Sequence, residues 1–159
     1  MHLGRYDVAR RHLEALLDRY DPVQHRASAH HLGHDPAVGA YSYLALVLWM
    51  QGYPDQASQA KDSAKDLARD LDHPYSSGYA ASFAAMLLQL QRRLAGCYDQ
   101  AGEALQIGRD RRFPLWQAIG AMARGWVTAL QGDPEQGVIE LAQGLATWEA
   151  SGAMLALPF

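Results

Sequence analysis

Residues 52–56 read GYPDQ and residues 132–136 read GDPEQ, so one short pattern occurs twice, 80 residues apart. The pattern is lost halfway between them, but Pro74 and Pro114 follow one another at a spacing of 40 residues. A fixed spacing of this size is the sequence signature of a repeat architecture. The chain is therefore predicted to contain three repeat units, at 34–73, 74–113 and 114–153.

Each unit has two halves with the apolar periodicity of an α-helix. In the first half of unit one, Tyr41, Leu44, Ala45 and Leu48 recur at intervals of three and four residues, which places them on one helical face. The second half has a stripe of small and apolar residues opposite a charged face. That stripe consists of Ala57, Ala60, Ala64, Leu67, Ala68 and Leu71. Each unit is therefore predicted to be a helical hairpin.

The predicted fold is all-α, a single domain over residues 1–159 in which antiparallel helical hairpins stack as a tetratricopeptide-like right-handed solenoid. Residues 1–32 are interpreted as a partial N-terminal unit, and residues 154–159 as the truncated start of a further unit. The period of about 40 residues exceeds the roughly 34 of a tetratricopeptide unit, which leaves longer helices or a HEAT-type geometry open. Because neither end carries a polar capping face, we expect exposed apolar edges and self-association through them.

Prolines and acidic residues mark where the helices begin. Pro is tolerated at the first position of a helix, and six of the seven prolines fit that role. Asp35 and Asp133 precede two of them as capping carboxylates, and Gln136 completes a predicted capping box. Glycines stand where helices should stop, but the middle unit has Arg92 at that point. We therefore expect a looser or longer turn over residues 92–97.

Charge and length exclude several classes of partner. The chain has 14 Lys and Arg against 17 Asp and Glu, a formal charge of -3, so we expect no binding to nucleic acid. The longest apolar run, residues 44–50, is far shorter than the roughly 20 residues that span a bilayer, which predicts no membrane segment. The N-terminus has no apolar leader and the single Cys97 cannot form an internal disulfide, so a reducing cytoplasm is the expected compartment.

No set of residues indicates catalysis or a cofactor. The sequence lacks a G-x-x-x-x-G-K-[ST] phosphate loop and a nucleophile–base pair, so we expect no enzyme activity and no cofactor. Cys97 replaces the small Ala57 and Gly137 of the other units, which favours a packed, inert thiol over a nucleophile. A run of acidic residues alternates with basic ones, as on a solvated helix face. These acidic residues are Asp62, Asp66, Asp70 and Asp72.

Four histidines lie close together before unit one, at His25, His30, His31 and His34. His30 and His34 are four residues apart, the spacing at which two imidazoles share a metal on one helix face. No H-E-x-x-H pattern or nearby Cys completes a ligand set, and Gly33 is expected to end the helix before His34. A solvated segment between helices is therefore the favoured interpretation, and no metal is predicted.

Arg124 stands where the other units have Leu44 and Ala84, so a charge occupies an apolar position. Such a charge needs a partner. A structural pair with Glu140 or Glu149 is the favoured interpretation, and an anionic ligand is the alternative. The tryptophans are interpreted first as core residues, with a groove role for one or two left open. They are Trp49, Trp116, Trp126 and Trp148.

If the units stack, their first helices line the concave surface, and the side chains not used between helices face it. The positions predicted to form a groove that binds a partner are Ser42, Leu46, Trp49, Tyr79, Ser82, Met86, Gln89, Ile119, Met122 and Trp126. This mixed apolar and aromatic surface suits a peptide or an amphipathic helix better than a phosphate-rich ligand.

Several stretches of the chain resemble a known helical repeat region. They are residues 20–26, 33–36, 46–57, 113–116, 124–126 and 143–148. The region they resemble is the tetratricopeptide-like segment that follows the ATPase module in bacterial multidomain adenylate/guanylate cyclase–ATPase signalling proteins. The resemblance covers about residues 5–159. It implies a sensor or coupling segment whose catalytic parts lie upstream, and whose partners are neighbouring domains of a larger parent chain or a separate protein or peptide.

Two functions from different classes follow. The first is a non-catalytic protein–protein interaction or coupling module, as a segment of a larger signalling ATPase or cyclase protein. The second is a small-molecule sensor domain that regulates an attached ATPase or cyclase, with Arg124 and a tryptophan as anchors. A closed apolar pocket that contains Arg124 favours the sensor, whereas an open groove favours the interaction module.

Overall fold

The computed structural model describes residues 4–22 and 33–152. Within these ranges the chain is all-helical and contains no strand, which confirms the predicted fold class. The helices are α1 (Tyr6–Leu17), α2 (Pro36–Met50), α3 (Pro54–Asp70), α4 (Pro74–Leu90), α5 (Leu94–Arg111), α6 (Pro114–Leu130) and α7 (Pro134–Ala150). The predicted further unit at 154–159 and the histidines His25, His30 and His31 lie outside the described residues.

Two kinds of helix alternate from α2 onward: the first helices α2, α4 and α6, and the second helices α3, α5 and α7. Most residues of α2 and α4 are buried, whereas α3 buries a single alanine stripe at Ala57, Ala60, Ala64 and Ala68. Leu67 and Leu71 are partly buried beside that stripe. The stripe predicted for the second helix of unit one is therefore confirmed.

Most of the predicted helix starts are confirmed. Proline occupies the first positions of α2, α3, α4, α6 and α7. Asp35 caps α2, where its Oδ1 accepts the backbone N–H of Ala37 at 2.9 Å and of Val38 at 3.2 Å. The predicted capping box forms only by half: Asp133 accepts the N–H of Gln136 at 3.0 Å, but the Gln136 side chain contacts Glu140 instead of Asp133.

The expectation of a loose or long turn at Arg92 is wrong. In the turn after α2, Gly52 has a φ of 83°, and the N–H of Tyr53 donates to the carbonyl of Leu48 at 2.9 Å. After α4, Arg92 has a φ of 57°, and the N–H of Arg93 donates to the carbonyl of Leu88 at 2.9 Å. Both turns therefore form the same Schellman motif over three residues. Arg92 adopts the left-handed conformation at a cost of about 1–2 kcal/mol that glycine would avoid.

The pairs α2–α3, α4–α5, α5–α6 and α6–α7 make the most extensive contacts, and turns of two or three residues make consecutive helices antiparallel hairpins. The first helices also contact one another, α2 with α4 and α4 with α6, while α1 packs on α2. Gly120 lets α6 approach the backbone of α5: a Cβ added there would lie 2.6 Å from the Leu105 nitrogen. Gly125 does the same against α7, since its added Cβ would lie 2.6 Å from the Gly137 carbonyl oxygen.

The core lies between the first helices and their neighbours. Leu87 of α4 is fully buried in a cluster with Leu44 and Leu48 of α2 and Ala57 of α3. Trp116 of α6 is 2% exposed. Full burial of one such side chain contributes about 1.5–3 kcal/mol, so this core accounts for much of the stability of the array. Among the described residues, no helix has the length and apolarity needed to cross a membrane.

Candidate interaction groove

A groove of about 270 Å³ opens between α4, α6 and α7. Its walls are Met86, Gln89, Ile119, Met122, Ala123, Trp126, Leu141 and Trp148, and we call it the Trp126 groove. Five of these residues belong to the ten positions predicted from the sequence: Met86, Gln89, Ile119, Met122 and Trp126. No charged side chain lines the groove, and an apolar wall of this kind is suited to an apolar side chain.

Two of the predicted positions cannot contact a partner. Ser42 is 2% exposed and Ser82 is fully buried, so the prediction that they face a groove is wrong. The Ser42 side chain points instead between α3 and α4, beside Ala64 and Ala80. Neither hydroxyl has a hydrogen-bond partner among the described residues. The helical register directs these two small residues toward a groove, but the close approach of neighbouring helices covers them.

The other three predicted positions lie away from the Trp126 groove. Leu46 and Tyr79 are each 8% exposed. Trp49 is partly buried against the cluster that contains Leu46. These side chains therefore contribute mainly to the core, which is the interpretation that the sequence favoured for the tryptophans.

A chain of aromatic contacts surrounds Tyr79 and was not predicted. The Tyr79 ring stacks on His34 with centroids 4.4 Å apart and on Phe83 at 4.6 Å, and it meets Trp116 edge-on at 5.4 Å. Burial is the main cause that raises the pKa of Tyr79, and a hydrogen bond with Tyr43 adds to it. Tyr43 and Phe83 are 40 residues apart in the sequence. This recurrence of an aromatic residue at the repeat spacing is the sequence signal that could have predicted the row.

Arg124 forms the structural pair that its position predicted. Its Nη2 lies 3.0 Å from Glu140 Oε1, and the guanidinium lies 5.4 Å from the centre of the Tyr98 ring. The side chains of Arg124 and Glu140 are 29% and 13% exposed, so the pair is partly shielded from water between α6 and α7. Arg124 does not line the Trp126 groove. The favoured interpretation of Arg124 as one half of an ion pair is confirmed.

A buried polar network joins the starts of α2 and α4. Tyr20 Oη donates to Asp35 Oδ2 at 2.9 Å, and the Asp35 N–H donates to Ser76 Oγ at 2.9 Å. Ser76 Oγ lies 2.9 Å from His73 Nδ1. Burial and the neighbouring Asp35 raise the pKa of Tyr20. The Asp35 carboxylate bonds Tyr20 and the α2 backbone rather than His73, and Ser76 is fully buried. These hydrogen-bonded residues therefore form a structural clamp and not a nucleophile–base arrangement.

The remaining candidates for chemistry are the Cys97 thiol and the aspartates of α3 and its C-terminal turn. Cys97 is fully buried and its thiol donates to the Ala85 carbonyl at 3.4 Å, while burial raises the pKa of the thiol to about 11. This agrees with the predicted packed thiol, since thiolate is the reactive form. The four aspartates of α3 and its C-terminal turn are exposed, and Asp62 and Asp66 pair with Lys61 and Arg69. Among the described residues no cluster of three metal-ligating side chains occurs.

A larger groove, of about 610 Å³, lies between α3, α4 and α5. Both signs of charge line it, with Lys65 and Arg69 opposite Glu103 and Asp110, and Lys65 forms an ion pair with Glu103 across it. Because cationic and anionic side chains line it in equal number, the groove carries no net charge that would attract an ion of one sign. The Trp126 groove is the better candidate for a partner despite its smaller size.

Comparison with known proteins gives no matching family model, no matching curated protein and no matching solved structure.

Proposed function

We propose that the chain is a non-catalytic protein–protein interaction or coupling module. In this proposal the hairpins stack as a tetratricopeptide-like right-handed solenoid with a period of about 40 residues, and the first helices line its concave side. The regular spacing of left-handed turn residues supports the arrangement. These residues are Gly52, Asp72, Arg92, Arg112, Gly132 and Gly152.

One observation carries the proposal: the first helices are almost free of charge. Arg124 is the only charged residue in α2, α4 and α6, and it is paired with Glu140. The other charged side chains of the described residues lie on the second helices, on α1 and in the turns. A partner that contacts the first helices and the Trp126 groove would therefore bring apolar or aromatic side chains, as an amphipathic helix or an extended peptide does.

The resemblance to the repeat region of multidomain cyclase–ATPase proteins supplies the proposed setting. There the module would couple a partner, or a neighbouring domain of a larger parent chain, to an attached ATPase or cyclase. The proposed absence of enzyme activity is supported by the buried, high-pKa thiol of Cys97 and by the structural bonding of Ser76, His73 and Asp35. A cytoplasmic location belongs to the same proposal.

The sensor function is less well supported. It requires Arg124 as an anchor in a closed apolar pocket, but Arg124 is engaged by Glu140 and the Trp126 groove is open at one side. To hold an anionic ligand, Arg124 would have to leave a partner 3.0 Å away, and that carboxylate would then stay partly buried without a cationic partner. The geometry therefore favours the interaction module.

The test is a selection of peptides on the full chain. A displayed library of amphipathic helices and apolar extended peptides is enriched on the wild type, and the selected peptides are synthesised and titrated by fluorescence anisotropy. We expect Met122→Asp and Trp126→Ala to weaken binding by roughly tenfold or more, which is about 1.4 kcal/mol. The control Leu130→Asp changes an exposed apolar residue of the same helix outside the groove and should leave binding unchanged.

The salt dependence of binding separates this groove from a charged site. Because no charge lines the Trp126 groove, the dissociation constant should vary little with ionic strength. Selected peptides that are mainly acidic, or whose affinity falls steeply with salt, would contradict the proposal. So would an equal loss of affinity in Leu130→Asp and Met122→Asp.

A further inference from the structure

One arginine lies at the edge of the Trp126 groove. The guanidinium of Arg92 lies over the Trp126 ring, 5.7 Å from its centre, and Trp126 forms one wall of the groove. Arg92 is exposed, and it forms no ion pair with any residue that the structure describes. A guanidinium over an aromatic ring keeps N–H donors free for a carboxylate. The groove therefore has a positive charge at its edge although no charge lines its walls.

The same edge carries the amide of Gln89, the one described wall residue whose side chain is neither apolar nor aromatic. Gln89 precedes Arg92 by about one helical turn, and its carbonyl accepts the Arg92 backbone N–H at 3.0 Å. Ile119, seven residues before Trp126 on α6, packs in one cluster with Trp148. Seven residues of helix rise about 10.5 Å. The groove therefore has a direction, with polar groups at the Trp126 end and apolar groups at the Ile119 end.

The conformation of Arg92 is one that glycine adopts more easily. The equivalent turns of the other units have Gly52 and Gly132 at this point, whereas Arg92 takes the same left-handed conformation with a φ of 57°. Two carboxylates of the next hairpin are bonded elsewhere, since Asp133 caps α7 and Glu140 pairs with α6. Strained backbone conformations cluster at functional sites. The charge of Arg92 is therefore not required by the turn and is not used in an ion pair.

We propose that the partner of the Trp126 groove is a peptide segment that places an apolar side chain in the groove and an Asp or Glu side chain on Arg92. The inference rests on the proposed function, because it specifies the partner of the same groove. Charge complementarity selects this occupant, since the walls are uncharged and the edge is cationic. In a helical partner, an acidic residue three or four positions from the apolar anchor lies about 5–6 Å along the axis, which reaches from mid-groove to the Trp126 end. One exposed ion pair adds little affinity, so binding should still depend only weakly on salt.

The test repeats the peptide selection on the full-length wild type and on Arg92→Glu with one library. We expect the wild type to enrich Asp or Glu three or four positions from the apolar anchor, and Arg92→Glu to enrich Lys or Arg there. One selected peptide is then synthesised with Glu, Gln or Lys at that position and titrated by fluorescence anisotropy. The wild type should bind the Glu peptide roughly fivefold more tightly than the Lys peptide. Arg92→Glu should lose or reverse this preference.

Two further variants separate the charge of Arg92 from the fold and from net charge. Arg92→Gly keeps the left-handed turn that Gly52 forms in unit one, so it should fold and bind the Glu and Lys peptides about equally. Arg109→Glu changes the net charge as Arg92→Glu does, but it lies in the last turn of α5 and does not line the groove. Arg109→Glu should therefore retain the wild-type preference for the Glu peptide.

The outcomes distinguish this inference from the proposed function. If the selected peptides are weakened by Met122→Asp but bind the wild type equally with Glu or Lys, the role of Arg92 is wrong while the groove still binds a partner. An equal loss of preference in Arg109→Glu and Arg92→Glu would also overturn it, because net charge would then be the cause. If the selection gives no peptide that Met122→Asp weakens, the proposed function fails and this inference fails with it.

Discussion

The first helix α4 and the second helix α5 follow one another in the chain but differ in charge and burial. Helix α4 has no charged residue and contacts α2, α3, α5 and α6. Helix α5 carries charges of both signs, and its main contacts are with α4 and α6. A helix that neighbours cover on several sides must exclude charge, because a buried unpaired ion is costly. A helix covered along one stripe keeps a charged outer face.

The largest expected effect compares a tryptophan of each kind of helix. Trp116 in the first helix α6 is 2% exposed and contacts Tyr75 and Tyr79, whereas Trp148 in the second helix α7 is partly buried at the edge of the array. We expect Trp116→Ala to lower the free energy of unfolding by about 4 kcal/mol and Trp148→Ala by less than about 2 kcal/mol. Urea unfolding measures both, and equal losses would contradict the difference between the two kinds of helix.

The second comparison concerns the caps of a first and a second helix. Asp35 is fully buried, caps α2 and accepts a hydrogen bond from Tyr20, whereas Asp133 caps α7 in water. Asp35→Ala removes the cap and leaves the Tyr20 hydroxyl without that acceptor, so it should cost about 2–3 kcal/mol. Asp133→Ala should cost about 1 kcal/mol. Thermal or urea unfolding of the two variants measures both losses of stability. A larger loss for Asp133→Ala would show that the clamp at Asp35 contributes little.

The third prediction uses pH to test the aromatic row between the first helices. Burial, and then Tyr43, raises the pKa of Tyr79 from its ordinary 10.0. In the unfolded chain Tyr79 loses its proton near pH 10.0 while the folded chain retains it, so its contribution to stability is complete below that pH and falls above it. We expect urea midpoints to fall as the pH rises above about 10, and less steeply in Tyr79→Phe than in the wild type. Parallel slopes for the two proteins would show that Tyr79 is not the group responsible.

These comparisons also show which features follow from local sequence. The helix starts at Pro36, Pro54, Pro74, Pro114 and Pro134 follow from the fixed φ of proline and its missing N–H. The Arg124–Glu140 pair follows because a charge at an apolar position needs a partner within reach. The first inference uses the proline alone, and the second uses the repeat register that aligns Arg124 with Leu44 and Ala84.

Features that depend on tertiary contacts were not predictable in the same way. The register placed Ser42 and Ser82 toward a groove, but the approach of neighbouring helices buries both. The clamp between Tyr20 and Asp35 joins residues whose proximity no periodic pattern specifies. At Arg92, the hydrogen bonds of a complete turn outweigh the preference of a non-glycine residue against positive φ.

The smallest expected effect concerns two left-handed arginines at opposite ends of α5. Arg112 follows the helix with a φ of 56°, so Arg112→Gly should remove strain and stabilise the fold by about 0.5–1 kcal/mol, after the added flexibility of the unfolded chain is subtracted. Arg92 has a φ of 57°, but its guanidinium lies 5.7 Å from the centre of the Trp126 ring. This cation–π interaction offsets about 0.5–1 kcal/mol of the backbone strain. Arg92→Gly should therefore be close to neutral. Urea midpoints of the two variants measure the difference, and a larger gain for Arg92→Gly would mean that its contact with Trp126 contributes nothing.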